Sequence, residues 1–479
     1  MSNFEPNSVP TNDTYKRWRR GLAYVAAFSA IGLFYASIIP LQYSEQAFTT
    51  AWQQFLNTPW LDLGVYNRAD WVANAIVVLP IGFAGTGAIC FGKRATLYRV
   101  FGVSCLIMST ALLVASIEFV QLWFPPRTVS LNDIAAGWVG ALLGPLLWLV
   151  LGTPILDRLL AVKVEDDFAA TKDSFCTWLL AVYLIGLCLW SLLPGDLIMS
   201  RHELTVKFEA GRINLLPGSE IVRSTSGRDL IGQLLTILAT MVKLVPLGLL
   251  TYLSQSPNSQ KQCREVQGKR NFWLILCTPP LVELLQLPIF SRHFTITDVI
   301  MGWLGAWLGW HLAKHSNRLL AFNRFSRVRF ALLLTNLALI VASFLWGAQR
   351  FATGAEMEAR FHDFFSMPFV RYYYGTEFSA GFNLLMKILL FMALGFTFAN
   401  FLAPYSGSSR HDRILRFLGL FAIAAFGFML EVLQIFLVPC VPDASDTFVY
   451  LFSAVLGFLA WKRVNDVLGS EAHPPIEDN

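Results

Sequence analysis

Residues 118–144 read EFVQLWFPPRTVSLNDIAAGWVGALLG, and the chain repeats the scheme as ELLQLPIFSRHFTITDVIMGWLGAWLG at 283–309 and EVLQIFLVPCVPDASDTFVYLFSAVLG at 431–457. Three residues after each Glu (Glu118, Glu283, Glu431) stands a Gln (Gln121, Gln286, Gln434), and fifteen after it an Asp (Asp133, Asp298, Asp446). Arg127 and Arg292 follow the first two glutamates by nine residues, where the third copy has Cys440. Gly144, Gly309 and Gly457 close the pattern; Gly137, Gly140, Gly302 and Gly305 lie between, and Tyr450 and Ser453 take those places in the third copy. Some 36 residues upstream, Pro80-Ile81-Gly82, Pro246-Leu247-Gly248 and Ala393-Leu394-Gly395 also correspond. A fixed period of this kind marks tandem copies of one structural unit.

The residues around the motif set its surroundings. Hydrophobic residues make up 55% of the 479, charged ones only 14%, and the mean hydropathy is +0.52, whereas soluble domains carry about 25% charged residues. Stretches 21–44, 71–92, 134–156 and 174–195 hold no charge at all, and a helix needs roughly 20 apolar residues to cross a bilayer. Counting runs broken by single polar residues predicts spans at 21–42, 71–92, 100–123, 131–155, 175–195, 230–253, 271–290, 296–313, 330–349, 380–402, 414–438 and 445–461. The first is too long for a secretory signal and lacks a small-residue cleavage site, so it reads as a retained anchor.

The expected fold is therefore an all-α integral membrane protein of about twelve transmembrane helices. Four spans per copy give units at 18–162, 170–318 and 328–464, between tails 1–17 and 465–479. Four is even, so the three units run parallel and equivalent residues face one side. Basic residues cluster in alternate loops, among them Arg17, Arg19, Arg20, Lys93, Arg94, Lys269, Arg270, Arg324, Arg413, Arg416 and Lys462. The positive-inside rule makes that side the cytoplasm and places both termini there. The net charge of +5 is then a topology signal, not a nucleic-acid patch. The Glu, Gln, Arg and Asp of each copy fall at the opposite, outer boundary.

Glu-x2-Gln, Arg and Asp six apart, spaced glycines at the head of a helix and a preceding Pro-x-Gly span resemble the VanZ-like family, three times over and across most of the chain. The resemblance implies a bacterial multi-pass protein of the cytoplasmic membrane, of the type associated with teicoplanin-class glycopeptide resistance. Family members commonly carry a second acidic residue three after the Arg; here Ser130 and Thr295 stand there and only Asp443 keeps it. The family's Asn ten after the Arg is replaced by Gly137, Gly302 and Tyr450. An upstream Asn persists as Asn74 and becomes Thr240 and Lys387. The third copy, without its Arg, is expected to have changed its role.

A carboxylate near apolar spans costs about 2.5 kcal/mol or more unless it is paired or wetted, so each Glu needs partners. One reading is a clamp, with Arg127 on Glu118 or Asp133 fixing the third span to the fourth. Another is a polar pocket for a ligand or lipid headgroup; a third is proton chemistry. Ser130-x-x-Asp133, Thr295-x-x-Asp298 and Asp443-x-x-Asp446 resemble capping boxes, which would account for each Asp. The glycines fall on one helix face and predict close helix approach, looser in the third copy. Lys243 and Lys387 interrupt apolar spans and require an anion or a route to the surface. Outer loops carry amphipathic stretches at Trp52, Phe55, Leu56 and Trp60, and at Met357, Phe361, Phe364 and Phe365, which suit short interfacial helices.

No metal or cofactor is expected. His202-Glu203 opens a zinc-protease pattern, but Val206 stands at the second His position. Three function classes remain. A binder of a lipid-linked cell-wall precursor, lipid headgroup or glycopeptide at the outer leaflet follows from the resemblance and the polar sets. A secondary transporter is favoured by repeats and intramembrane lysines, although transporter sites lie near the midplane. A membrane enzyme would use a Glu as general acid and base.

Overall fold

The computed structural model describes residues 12–90, 95–152, 168–222, 227–255, 261–315, 326–375, 377–403 and 409–469. One order of main elements recurs three times, a long helix, a short one, then three long ones, with a further short turn of helix at Ser219–Val222 in the second copy and a 3-10 turn at Val370–Tyr374 in the third. The first copy has α1 (Asn12–Ile38), α2 (Phe48–Leu56), α3 (Val65–Cys90), α4 (Thr96–Gln121) and α5 (Leu131–Leu147), the last continued by a π turn at Trp148–Gly152. The second has α6 (Phe168–Leu192), α7 (Arg201–Glu209), α8 (Gly227–Leu253), α9 (Lys261–Gln286) and α10 (Ile296–Lys314). The third has α11 (Ser326–Leu345), α12 (Gly354–Phe364), α13 (Glu377–Leu402), α14 (Ser409–Ile435) and α15 (Asp446–Gly469). Residues 1–316 form one compact unit and 317–479 another.

Among the described residues, eight helices are long and apolar enough to cross a membrane. Their flanks expose large apolar side chains, among them Phe28, Met108, Leu112 and Phe421, which suits a hydrocarbon solvent and no aqueous one. The chain is a multi-pass membrane protein. Helix α9 falls outside those eight for a local reason: Lys261, Arg264, Lys269 and Arg270 occupy its first turns, leaving the apolar part short.

Several helices end before the apolar runs do. The spans read to 42 and 195 stop at Ile38 and Leu192, just ahead of Pro40 and Pro194, which lack the N–H a continuing helix would use and disfavour the helical conformation in the residue before them; Pro80, Pro145 and Pro246 are accommodated inside their helices instead. Hydropathy records polarity and not backbone, so it ran past both turns.

The second and fourth long helices of each copy make its closest pair. A β-carbon on Gly144 would lie 2.6 Å from the Leu79 carbonyl oxygen of α3, and one on Gly82 2.6 Å from Pro145 of α5. On α10, Gly305 and Gly309 sit against the Met241 and Val245 carbonyls of α8; Gly140 meets Ala75 and Gly302 meets Leu244 and Pro279. Gly137 faces α4 instead, against Val114. The expected loosening of the third copy is not found. Gly457 abuts the Met392 carbonyl and Gly395 the Ala454 carbonyl, and at the Gly137 position Tyr450 stacks on Phe391 with ring centroids 4.0 Å apart. A ring has replaced small-residue contact there and fills the space.

Short helices α2, α7 and α12 lie in the loops between the first two long helices. The aromatic face of α2 packs on α4: Phe119 meets Phe48, Trp52 and Phe55 edge to face. In α12, Phe364 is buried while Phe361 and the capping Phe365 just past the helix are exposed. Helix α7 was not anticipated; it is polar, and it opens with a capping box between Ser200 and Glu203. Two-residue strands β1 (Ile213–Asn214) and β2 (Phe294–Thr295) pair in parallel, and β3 (Arg350–Phe351) and β4 (Leu437–Val438) antiparallel. They tie these loops to the segment joining the third and fourth long helices.

Arg68 at the start of α3 forks onto Glu203 of α7, with both N–H···O distances 3.1 Å, and so joins the first copy to the second. The guanidinium holds the Glu203 carboxyl down at about 2, against an ordinary 4.5. The folded carboxylate therefore stays charged where the unfolded one protonates. Its contribution is complete above about pH 4.5 and is lost as pH falls toward about 2. The gap in thermal midpoint between the wild type and Glu203→Gln should hold from neutrality to about pH 5 and close below that; a gap unchanged on acidification would refute the pairing.

Candidate functional site

In each copy the recurring polar residues meet where the first and third long helices end and the fourth begins. The glutamate lies in the last turn or so of its helix, and all three are buried: Glu118 8% exposed, Glu283 2%, Glu431 0%. Its carboxylate faces a peptide N–H at the start of the next long helix. Thr295 N donates to Glu283 Oε2 at 3.4 Å and Asp443 N to Glu431 Oε2 at 2.9 Å, and the Ser130 N–H faces Glu118. An anion at a helix start complements orphan N–H groups and the helix dipole. The Glu thus fastens the third long helix to the fourth without needing the Arg.

The arginines have another task. Arg127 donates from Nε to the Ile39 carbonyl at 2.8 Å and from Nη2 to Ala36 at 2.5 Å. Gln121 Nε2 reaches Ser37 O at 2.8 Å, so three carbonyls around the last turn of α1 are satisfied. Arg292 does the same for α6, to Leu193 O at 2.6 Å and Trp190 O at 2.8 Å, with its guanidinium over the Trp190 ring. The charge of each arginine also reaches carboxylates, Arg127 acting on Glu118 and Arg292 on Asp196 and Glu283; the carbonyl ends of the first helices, which hydropathy had drawn too long, were not expected as partners.

Asp133 accepts from Asn74 Nδ2 and from Ser130 Oγ, both at 2.7 Å. Ser130 and Thr295 are N-caps whose hydroxyls accept from Asp133 N and Asp298 N at 3.1 and 3.0 Å. The third copy departs from this. Asp443 Oδ1 takes the N–H and hydroxyl of Ser445 at 2.9 and 2.5 Å, which frees Asp446 for side chains. Asp446 binds Lys387 Nζ and, at 2.7 Å, the Tyr372 hydroxyl.

The copies differ in what reaches the glutamate side chain. In the second, Gln286 Nε2 donates to Glu283 Oε1 at 2.9 Å, and Lys243 lies close enough to act on it by charge. In the third, the Tyr450 hydroxyl donates to Glu431 Oε1 and Lys387 Nζ stands 3.7 Å from the same oxygen. Gln434 turns to the Phe344 carbonyl at 3.3 Å, as Gln121 turns to Ser37. In the first copy, Glu118 Oε2 and Gln121 Oε1 are buried and meet no hydrogen-bond donor among the described residues. Gly137 and Asn74 stand where the third copy has Tyr450 and Lys387.

Two cations lie outside the recurring motif and were not expected. Lys207 of α7, fully buried, donates to the carbonyls of Gln286, Leu287 and Ile289 at 2.9, 2.8 and 2.6 Å. Arg360 of α12 does so for Ile435, Gln434, Leu437 and Cys440 at 2.6–2.8 Å. Each closes the carbonyl end of the third long helix, where positive charge is favoured. Burial pushes the Lys207 ammonium down to about 8, opposed by the Asp196 carboxylate nearby. A signal was present: Ser200-x-x-Glu203 and Thr353-x-x-Glu356 are each followed four residues later by the cation. Gln54 holds that place in α2.

A family model described as VanZ/LLP1 matches residues 10–152 and 177–321, more than half of the chain. The two segments coincide with the first and second copies; the third lies outside them. No curated protein and no solved structure matches.

Proposed function

The chain belongs to the VanZ/LLP1 family, and from that premise we propose that it binds the polar group of a lipid-linked cell-wall precursor, lipid or glycopeptide at the outer face of the bacterial cytoplasmic membrane, lowering teicoplanin efficacy. In this reading twelve helices cross the bilayer as three parallel four-helix units, with 1–17 and 465–479 cytoplasmic. The polar ends of all three copies then face outward, roofed by α2, α7 and α12.

One observation carries the reading. Two copies supply donors to their own glutamate side chains, while the first leaves Glu118 Oε2 and Gln121 Oε1 as buried acceptors without a donor among the described residues. Leaving a buried acceptor unsatisfied costs about 1–3 kcal/mol, more for a charged one, so the site favours a ligand bearing ammonium, amide or hydroxyl hydrogens. The fit is to an amino-bearing headgroup, a peptide stem or a glycopeptide backbone. Ligand capture belongs to the first copy; in the other two the glutamate side chains have donors of their own, although the third keeps one buried acceptor, Asp443 Oδ2, without a donor among the described residues.

Glu118→Gln should therefore change teicoplanin susceptibility in an expressing strain, while Glu283→Gln leaves it near wild type. A charged hydrogen bond is worth about 1.5–3 kcal/mol, so the affinity behind the effect should fall roughly 10- to 100-fold. Unchanged susceptibility in both variants, at normal membrane levels, would sink the proposal.

A further inference from the structure

At the opposite end of the third copy, α13, α14 and α15 part around a half-open cavity of about 180 Å³. Its walls are apolar, formed by Ala399 of α13, Ala403 just past the end of that helix, Leu420 of α14 and Phe458 of α15, while Arg416 and Lys462 also line it. Both basic residues are exposed. An apolar cavity of about 150 Å³ already holds a benzene-sized molecule, so this one admits a stretch of hydrocarbon chain. From Asp446 to Lys462 the helix rises roughly 24 Å at about 1.5 Å per residue, close to the thickness of a bilayer's hydrocarbon core. The cations therefore sit at the membrane boundary facing away from the Glu431 cluster.

We propose that this cavity is a site for one anionic diacyl phospholipid of the leaflet on the basic side, with an acyl chain between the three helices and its phosphate held by Arg416 and Lys462. The apolar walls suit a hydrocarbon chain and the two cations at their rim suit an anionic headgroup, whereas a soluble anion would leave the walls wet. A lipid with both parts satisfies the site, and basic pockets between helices at a membrane's basic face recruit such headgroups. The site shares no residue with the outward polar clusters, so it stands or falls apart from the binding proposed for Glu118.

The test uses the full chain, purified in detergent and offered phosphatidylglycerol, phosphatidylethanolamine or glycerol phosphate, with bound lipid counted by native mass spectrometry. About one phosphatidylglycerol per chain should be retained. Arg416→Gln with Lys462→Gln should lower retention roughly tenfold or more, and Ala399→Phe should displace the lipid while keeping both charges. Arg413→Gln, on the same helix but outside the cavity lining, should change nothing. The charge variants alter exposed side chains and so keep the test usable if the cavity-filling variant fails to fold. Undiminished retention in the double charge variant would overturn the proposal, as would equal retention of phosphatidylethanolamine, competition by glycerol phosphate or an equal loss in Arg413→Gln.

Discussion

Replacing Gly309 by valine should destabilise the second copy by about 3 kcal/mol or more, at the upper end of overpacking costs. The new β-carbon would point into the Val245 carbonyl oxygen, with the Leu249 amide nitrogen 3.0 Å away. Backbone atoms in two hydrogen-bonded helices have no rotamer with which to yield. Helices α8 and α10 would have to separate along their length, opening the contact that also buries Leu247 and Ala306. Gly457→Val should behave likewise against the Met392 carbonyl, and Gly144→Val somewhat less, because its added carbon would start 2.6 Å from Leu79 O. Denaturant or thermal unfolding in detergent reads the ranking. A Gly309→Val protein within about 1 kcal/mol of wild type would mean that the close approach is not what holds this pair of helices.

The glycines show which kind of information the sequence carried well. Their spacing of three and four residues depends only on helix geometry, so the spacing alone was enough to place Gly140, Gly144, Gly305 and Gly309 at a helix contact. The capping roles of Ser130 and Thr295 were legible for the same reason: they follow from local backbone chemistry. The third copy defeated the same reasoning, because Asp443 turned to Ser445 and Tyr450 replaced glycine contact by ring stacking. The stacking partner, Phe391, lies on another helix far away in sequence.

The arginine and lysine caps were hidden more deeply. Arg127 binds carbonyls some ninety residues upstream, and Lys207 binds carbonyls about eighty residues downstream. A carbonyl carries no side-chain signature, so a search among acidic partners could not find it. What could have been found was the helix end itself: Pro40 and Pro194 are candidate stops for α1 and α6, and the four carbonyls of a last turn require donors. Lys207 and Arg360 were legible in principle as the basic residue after each capping-box glutamate.

Lys387→Met should cost the third copy about 3–5 kcal/mol, the penalty for taking away one partner of a buried charge pair. Asp446 and Glu431 are almost wholly buried, and Lys387 reaches both while lying over the Tyr372 ring. Tyr372 and Tyr450 would still donate one hydrogen bond to each carboxylate, but two acidic groups would be left without a cation. Lys387→Asn should be milder, since Asn74 bonds Asp133 from the same position in the first copy. Lys387→Met combined with Asp446→Asn should recover part of the loss, because the two single effects share one interaction and are not additive. Unfolding of Lys387→Met, of Asp446→Asn and of the double variant in detergent distinguishes this account from simple loss of packing. If the double variant is as unstable as the sum of the single ones, the lysine is filling space rather than balancing charge.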